Sequence, residues 1–433
     1  MNQRLLRSVA YGTPAYHETL AALARRGESD LTRVEPAVRE ILSAVQREGD
    51  AAVARFVERF EHRRPGPLLV RDYGGAEALA SLSSEVRNAL ELSAVRVRRY
   101  HEHQRDHLGN FAYEEEGVHL AARVTPLDRV GVYAPGGKAF YPSSVLMSAV
   151  PASVAGVKEI YVACPQVNAA VRAACHLAQV TGIVDAGGAQ AIAALAYGTQ
   201  SVPRVDKIVG PGNLYVTAAK RLVFGEVDID GLAGPSEILV IADDSADPAH
   251  IAADLLSQAE HDEAAYPLLI ASEQSIVDAV ELELARQLAE LPRKNIAEPS
   301  LRNNGMALVI RERAEMLRAA NVLAVEHVAI QTHEPREVSR GVLRAGALFV
   351  GPMTPESAGD YVAGPSHVLP TGGAARFGAP VGVYDFVSRS SVIEYSPAAL
   401  QRQAAAITAF ARSEGLEAHA RAVEIRTKNA SQR

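Results

Sequence analysis

The sequence predicts an α/β protein: two lobes with parallel sheets, a helical N-terminal segment and a helical C-terminal tail. Two observations predict the lobes. From Arg129 to about Gly234, short apolar runs end in glycine-rich turns and lead into helical patterns, and a second such stretch runs from Pro235 to about Phe386. Strands and helices alternating at this length argue for parallel sheets crossed by helices. A third observation predicts the ends: apolar residues recur at three-to-four spacing among many charges both before Arg129 and after Ser391.

In chain order, Glu35–Glu58 and Ser84–His107 read as amphipathic helices, the second carrying the charged run Arg96–Arg105 as a solvated face. RVGVYAPGG gives a strand and a turn, KEIYVAC a strand followed by a helix through Ala170–Gln179. GIVDAGGAQAIAALAYG and DKIVGPGNLYVTAAKRLVFG each read as strand, glycine turn and helix. EILVIAD is a strand. Asp247-Pro248 starts a helix, with aspartate at the cap and proline at the first helical position, and that helix carries the chain to His261. YPLLIAS, MALVIR and GALFVG are further strands, with a helix over about Gln274–Leu291. Pro397–Ser413 and Glu417–Arg426 are helical. No repeat of solenoid period appears.

A chain of 433 residues has enough length for two or three domains and for a substantial core without disulfides. Hydrophobic residues at 48% and charged residues at 22% exclude disordered and disulfide-scaffold classes. With Lys+Arg 44 against Asp+Glu 51 there is no long basic stripe of the kind nucleic acid selects. Two cysteines, Cys164 and Cys175, cannot build a thiolate cage, so a metal here needs nitrogen and oxygen ligands, for which thirteen histidines are available. Sparse cysteine, no signal-like segment at the start and no run of 18 apolar residues point to the cytoplasm.

Three strand-to-helix turns carry glycine: Ala134-Pro135-Gly136-Gly137, Gly187-Gly188 and Gly210-Pro211-Gly212-Asn213. Glycine lets backbone amides approach a ligand, and a helix N-terminus favours negative charge, so these turns suggest a phosphate or dinucleotide site. None matches G-x-G-x-x-G, and on composition alone turns that merely cap helices are the favoured reading. Gln258 and His261 lie i, i+3 on one helix face, a weak metal signature. Glu326-His327 sits in the apolar run NVLAVEHVAIQ, where two ionisable neighbours suggest groups tuned for proton transfer. Adjacent strand residues face opposite ways, so the two act together only if the run bends there. Asp360 and His367 lie in the proline- and glycine-rich loop PESAGDYVAGPSHVLPT, which reads as a rigid support for functional groups or as a structural turn. His419 lies in a surface-type helix, with Glu414 just upstream.

Taken together, VGVYAPGGKAFYPSSVLM, DAGGAQAIAALAYGT, VDKIVGPGNLYVTAAKR, DGLAGPSEILVIAD, DLLSQAEHD, EHVAIQ, GDYVAGPSHVLPTGGAARF and SEGLEAHARAVEIR closely resemble histidinol dehydrogenase from about Arg129 to Arg426, and more loosely before it. The resemblance implies a homodimer with incomplete Rossmann-like lobes that oxidises L-histidinol through a bound aldehyde to L-histidine, with two NAD molecules and one zinc per subunit. By motif, Gln258, His261, Asp360 and His419 match zinc ligands, His419 coming from the partner. Glu326 and His327 match the acid–base pair. Ser236, His367 and Glu414 match substrate contacts, joined by Gln258, His261, His327, Asp360 and His419. Tyr133, Gln190 and Asn213 match dinucleotide contacts.

The domains expected on this basis are residues 1–128 with 235–386, carrying most zinc and catalytic residues; 129–234, binding the dinucleotide; and a dimerisation tail over 387–433. Two positions depart from the family pattern: Val325 where proline is expected, and Ser366 where asparagine often precedes the histidine. Two rivals remain. One is a paralogous zinc/NAD dehydrogenase of another hydroxylated substrate, such as a sulfonated diol. The other is a non-catalytic phosphate-ligand binding protein that uses the glycine turns alone.

Overall fold

A computed structural model describes residues 4–27, 31–136 and 140–430, with the side chains of 429–430 left aside. Along the chain the strands are β1 (Arg7–Ala10), β2 (Leu69–Val70), β3 (Phe111–Glu115), β4 (Val118–Pro126), β5 (Arg129–Tyr133), β6 (Glu159–Ala163), β7 (Gly182–Val184), β8 (Lys207–Val209), β9 (Asp228–Ile229), β10 (Glu237–Ala242), β11 (Tyr266–Ala271), β12 (Met306–Val309), β13 (His327–Gln331), β14 (Ala347–Val350) and β15 (Val387–Tyr395). The chain folds into two compact units, residues 1–104 with 127–386, and 105–126 with 387–433.

The larger unit holds two six-stranded sheets, ordered β1-β12-β11-β10-β13-β14 and β2-β7-β6-β5-β8-β9. The first is parallel throughout. The second is parallel except for β2, which pairs antiparallel with β7. Both grow outward from a central strand in one direction and then return to its other side. The order therefore reverses between β5 and β8 in one sheet and between β10 and β13 in the other, the topological position where α/β sheets open a crevice. The α/β class and the parallel sheets are as the sequence predicts.

Burial follows from this layering. All six residues of β10 are buried, as expected of a strand covered on both faces. The helices Pro248–Ala259 and Gln274–Glu290 share a core on one face of its sheet, and Pro14–Leu23 and Arg313–Leu323 share one on the other. The helices Leu31–Glu48 and Asp50–Glu61 share the core of the β5 sheet with Gly188–Tyr197 and Leu214–Val223. Chain before Arg129 is thus divided: β1 pairs in the β10 sheet and β2 in the β5 sheet. The expected long helix over Glu35–Glu58 is two helices, broken at Gly49, which has φ +59°. Ser84–Asp106 is helical as expected, but His101, read as solvent-facing, is buried, with Nδ1 donating to the Val97 carbonyl at 2.8 Å. The charged run masks a narrow stripe of Leu90, Ala94, Val97 and His101, which recur at three-to-four spacing.

The smaller unit is a three-stranded antiparallel sheet, β15-β4-β3, with the helices Pro397–Ser413 and Glu417–Ala430. The β3–β4 hairpin falls in sequence that composition reads as polar and helical; all of β3 is exposed, so no apolar alternation marks it. Ser396 caps the first helix by accepting from the Ala399 amide at 3.2 Å.

One buried acid allows a stability prediction. Asp254 faces inward from the Pro248–Ala259 helix and accepts from Gln331 Nε2 at 2.7 Å. Burial pushes its carboxyl up to about 6, with the Gln331 hydrogen bond opposing. A raised carboxyl pKa costs stability above that pH, because the unfolded chain ionises more easily. Asp254→Asn is therefore expected to raise unfolding free energy by up to about 3 kcal/mol at pH 8, a gain that fades as pH falls through about 6 towards about 4. Denaturant melts at pH 8 and pH 4.5 check this; an equal effect at both pH values contradicts it.

Candidate active site and metal centre

The Glu326–His327 pair lies at the amino-terminal edge of the β10 sheet. Ala324 ends the preceding helix in the left-handed region, φ +44°, and Glu326 sits one residue ahead of β13. The run thus bends where it must: Glu326 Oε2 and His327 Nδ1 are 3.5 Å apart, and both residues are buried. Val325, one of the two departures, is fully buried in the apolar cluster beneath the sheet, so its side chain is anchored despite lacking the rigidity of proline. Gly346 has to be small, since a Cβ there would lie 2.5 Å from the Glu326 carbonyl.

The short helix Glu356–Tyr361 brings a second group of ionisable side chains to the same place. Glu356 is 1% exposed and Oε1 lies 3.8 Å from His327 Nε2; neither atom has a hydrogen-bond partner. Ser257 Oγ donates to Glu356 Oε2 at 2.9 Å, which ties this helix to the end of the Pro248–Ala259 helix. On that end, Gln258 is fully buried with both amide atoms unpartnered, and His261 follows just past the helix as an exposed residue. Asp360 Oδ1 lies 3.6 Å from His367 Nδ1, which also donates to the Asp360 carbonyl at 3.1 Å. Ser366 Oγ accepts from the Val368 amide at 3.1 Å, a local turn bond that asparagine also makes, so this departure preserves the loop. Ser236 is half-buried immediately before β10.

Electrostatics couple these groups. Burial opposes charge on His327, but the Glu326 carboxylate, then Glu356 and Asp360, outweigh it and raise its pKa to about 10. Glu356 is raised to about 7, first by burial and then by the Asp360 charge. Asp360 is lowered although burial works against this, because His367 and His327 favour its charged form. The packed protein lowers the pKa of His261, with the Asp360 and Glu326 charges opposing. Glu326, Glu356 and Asp360 thus place three carboxyl groups around one imidazole, an excess of negative charge that a divalent cation balances.

A metal fits the residues present. Among the described residues, one ligand atom each from His327, Glu356 and Asp360 lies within 4.8 Å of the others. The ring of His261, within electrostatic reach of Asp360, Glu326 and His327, offers a nitrogen donor, and the unpartnered amide of Gln258, next in sequence to the Ser257 that binds Glu356, offers an oxygen. Asp243, Asp244 and His333 also cluster, but the oxygens of Asp243 are engaged by Ser245 and the His333 amide. Glu356 escaped the sequence reading. Its only signal there is the i, i+4 spacing to Asp360, which places both on one helix face. His419 and Glu414 are exposed residues of the smaller unit.

The expected dinucleotide residues gather at the carboxyl edge of the β5 sheet. Tyr133 ends β5; its hydroxyl accepts from the Gly188 amide at 3.1 Å, and burial pushes its pKa up to about 12. Gln190 is buried in the first turn of the next helix. Asn213 caps the helix Leu214–Val223 by accepting from the Tyr215 and Val216 amides at 3.0 and 3.1 Å. Gly210 has φ +109°, and a Cβ there would lie 2.2 Å from the Tyr133 carbonyl, so only glycine permits this approach of β8 to β5. The Gly187 amide donates to Glu61 Oε1 at 2.9 Å. The amides of the Gly187-Gly188 turn, expected to face an anion, are thus met by protein groups. Gly137, in the first turn, lies outside the described residues.

Comparison with known proteins agrees with this architecture. The family model for histidinol dehydrogenase matches residues 24–427. The chain is 48% identical over 412 residues to the histidinol dehydrogenase of Aquifex aeolicus, covering 95% of this chain and 96% of that protein. It is 47% identical over 431 residues to that of Syntrophotalea carbinolica, covering 98% of this chain and 100% of that protein. The crystal structure of histidinol dehydrogenase from Elizabethkingia anophelis superimposes with a TM-score of 0.93 at 31% identity, each chain covered in full. With a family match over nearly its whole length and relatives this similar, the chain belongs to the histidinol dehydrogenase family, a family of NAD-dependent oxidoreductases.

Proposed function

We propose that this protein carries out the two-step, four-electron oxidation of L-histidinol, through L-histidinal, to L-histidine, the last step of histidine biosynthesis. The observation that carries the reading is the buried Glu326–His327 pair, whose unpartnered His327 Nε2 faces Glu356. His327 Nδ1 donates to the Glu237 carbonyl at 2.9 Å, and a divalent cation among Glu326, Glu356 and Asp360 would offset the charges that raise its pKa, leaving Nε2 to take the hydroxyl proton in the first step. In the second step the Glu326 carboxylate takes a proton from the water that adds to the aldehyde.

Asp360, Gln258 and His261 would hold a zinc ion, with His419 supplied by a second copy of the chain and Glu356 beside them. When bound, zinc orients the imidazole and amine of the substrate, and NAD accepts the hydride. Ser236, His367 and Glu414 bind the substrate, and Tyr133, Gln190 and Asn213 bind the dinucleotide. We assign dimerisation to residues 387–433.

Among the described residues no helix is long and apolar enough to cross a membrane, and both cysteines are free and buried. Free thiols fit a reducing compartment, so we place the protein in the cytoplasm. Assay of purified protein with NAD and zinc, on L-histidinol and a panel of small diols including sulfonated ones, tests the reading. Two NADH per histidinol are expected. No NADH from histidinol, or faster turnover of a sulfonated diol, overturns it.

A further inference from the structure

Glu237 opens β10 and is fully buried, in a strand whose other residues are apolar. Pairing of Ile238 with His327 puts Glu237 level with Glu326, so two carboxylates stand side by side at neighbouring strand ends. Like charges in that position repel, and a buried carboxylate without a counter-charge is costly. Arg26 supplies the counter-charge: Nη2 donates to Glu237 Oε2 at 2.7 Å, and the two side chains are 1% and 0% exposed.

Every polar group of Glu237 is engaged around the acid–base pair. Its amide donates to Glu326 Oε2 at 2.9 Å, and Glu237 Oε2 accepts from the Glu326 amide at 3.3 Å. Its carbonyl accepts from His327 Nδ1 at 2.9 Å. Its other carboxylate oxygen accepts from the Gly372 amide at 2.9 Å, in the loop that follows His367. Arg26 Nη1 in turn donates to the carbonyls of Leu23 and Leu323 at 3.0 and 2.8 Å. Leu323 is the last residue of the helix that leads into Ala324-Val325-Glu326. The ion-paired side chains therefore grip the incoming chain and the Glu326 amide, and they anchor the Glu237 backbone, whose own amide and carbonyl hold the Glu326 carboxylate and the His327 ring.

We propose that the buried Arg26–Glu237 ion pair is a positioning device that fixes the orientation of Glu326 and His327 for proton transfer while itself touching no substrate. A carbonyl can only accept, so the ring keeps its hydrogen on Nδ1, and Nε2, on the side of Glu356, is the nitrogen that gains and loses the proton. Misplacing such a base by a fraction of an ångström slows the chemical step while leaving ground-state binding largely intact. This inference rests on the catalytic roles proposed above.

The test uses zinc-loaded, full-length protein carrying Glu237→Gln, Arg26→Lys or Arg26→Met, with melting temperature and zinc content recorded for each. The expected result for Glu237→Gln is a fall in kcat of about tenfold or more with KM for histidinol within about threefold of wild type. Arg26→Lys, which keeps the charge, is expected to retain more kcat than Arg26→Met. The Nδ1–H proton resonance of His327, identified by its loss in His327→Ala, is expected to shift in Glu237→Gln and Arg26→Met. Should Arg26→Met fail to fold, Glu237→Gln and Arg26→Lys still decide. Unchanged kcat in Glu237→Gln, kcat and KM changing together, or an unmoved resonance overturns the proposal. The resonance needs no substrate, so a wild type inactive on histidinol would refute the function while the positioning claim is still read from the spectrum.

Discussion

His327→Ala is expected to lower kcat for L-histidinol by about 100-fold or more, the usual scale for losing a positioned general base. His327 Nε2 is buried, without a hydrogen-bond partner and 3.8 Å from Glu356 Oε1, so it is the unengaged nitrogen of the buried pair. KM is expected to change far less, because the groups assigned to zinc and most of those assigned to substrate belong to other residues. In the metal-free protein, Glu326, Glu356 and Asp360 hold the ring in its charged form, so removing it also increases their mutual repulsion, and the variant should be less stable. Steady-state kinetics with protein shown to be folded by circular dichroism check this. Turnover within about threefold of wild type would remove His327 from the mechanism.

Chelation is expected to abolish turnover, to below about 1% of the loaded enzyme, and added zinc to restore it. The same treatment is expected to lower the melting temperature. Three carboxyl groups around a single imidazole repel one another unless a divalent cation lies among them, and any ligand that binds only the folded state raises its stability by mass action. The melting curve therefore reports on the site independently of catalysis. Full activity in a sample shown by elemental analysis to be metal-free would refute the ligand assignment, and an unchanged melting temperature would argue against a metal at Asp360.

The legible parts of the site are those in which local pattern and chemistry coincide. Glu326-His327 stands out because ionisable residues interrupt an apolar run, and Asp247-Pro248 announces the helix that carries Gln258 because a cap and a fixed φ are local devices. The parallel sheets follow from alternation of strand and helix, a signal repeated in both lobes. Glu356 is less legible, since it looks like any acidic residue at a helix start until that helix is placed against Ser257 and His327. His101 misleads for a related reason: one buried ring in a highly charged helix is outvoted by its neighbours.

By itself, then, the sequence determined the fold class, the order of most elements, the bend that would be needed at Glu326, and the family motifs that relatives along nearly the whole chain bear out. Only the tertiary structure decided which strand ends meet. Arg26 and Glu237 are 211 positions apart, and Glu237 and Glu326 are 89 apart, yet strand order makes them one buried network. Periodicity records whether a residue faces the core of its own element. Which charges then share that core depends on sheet topology and register, and those are set by packing over the whole domain.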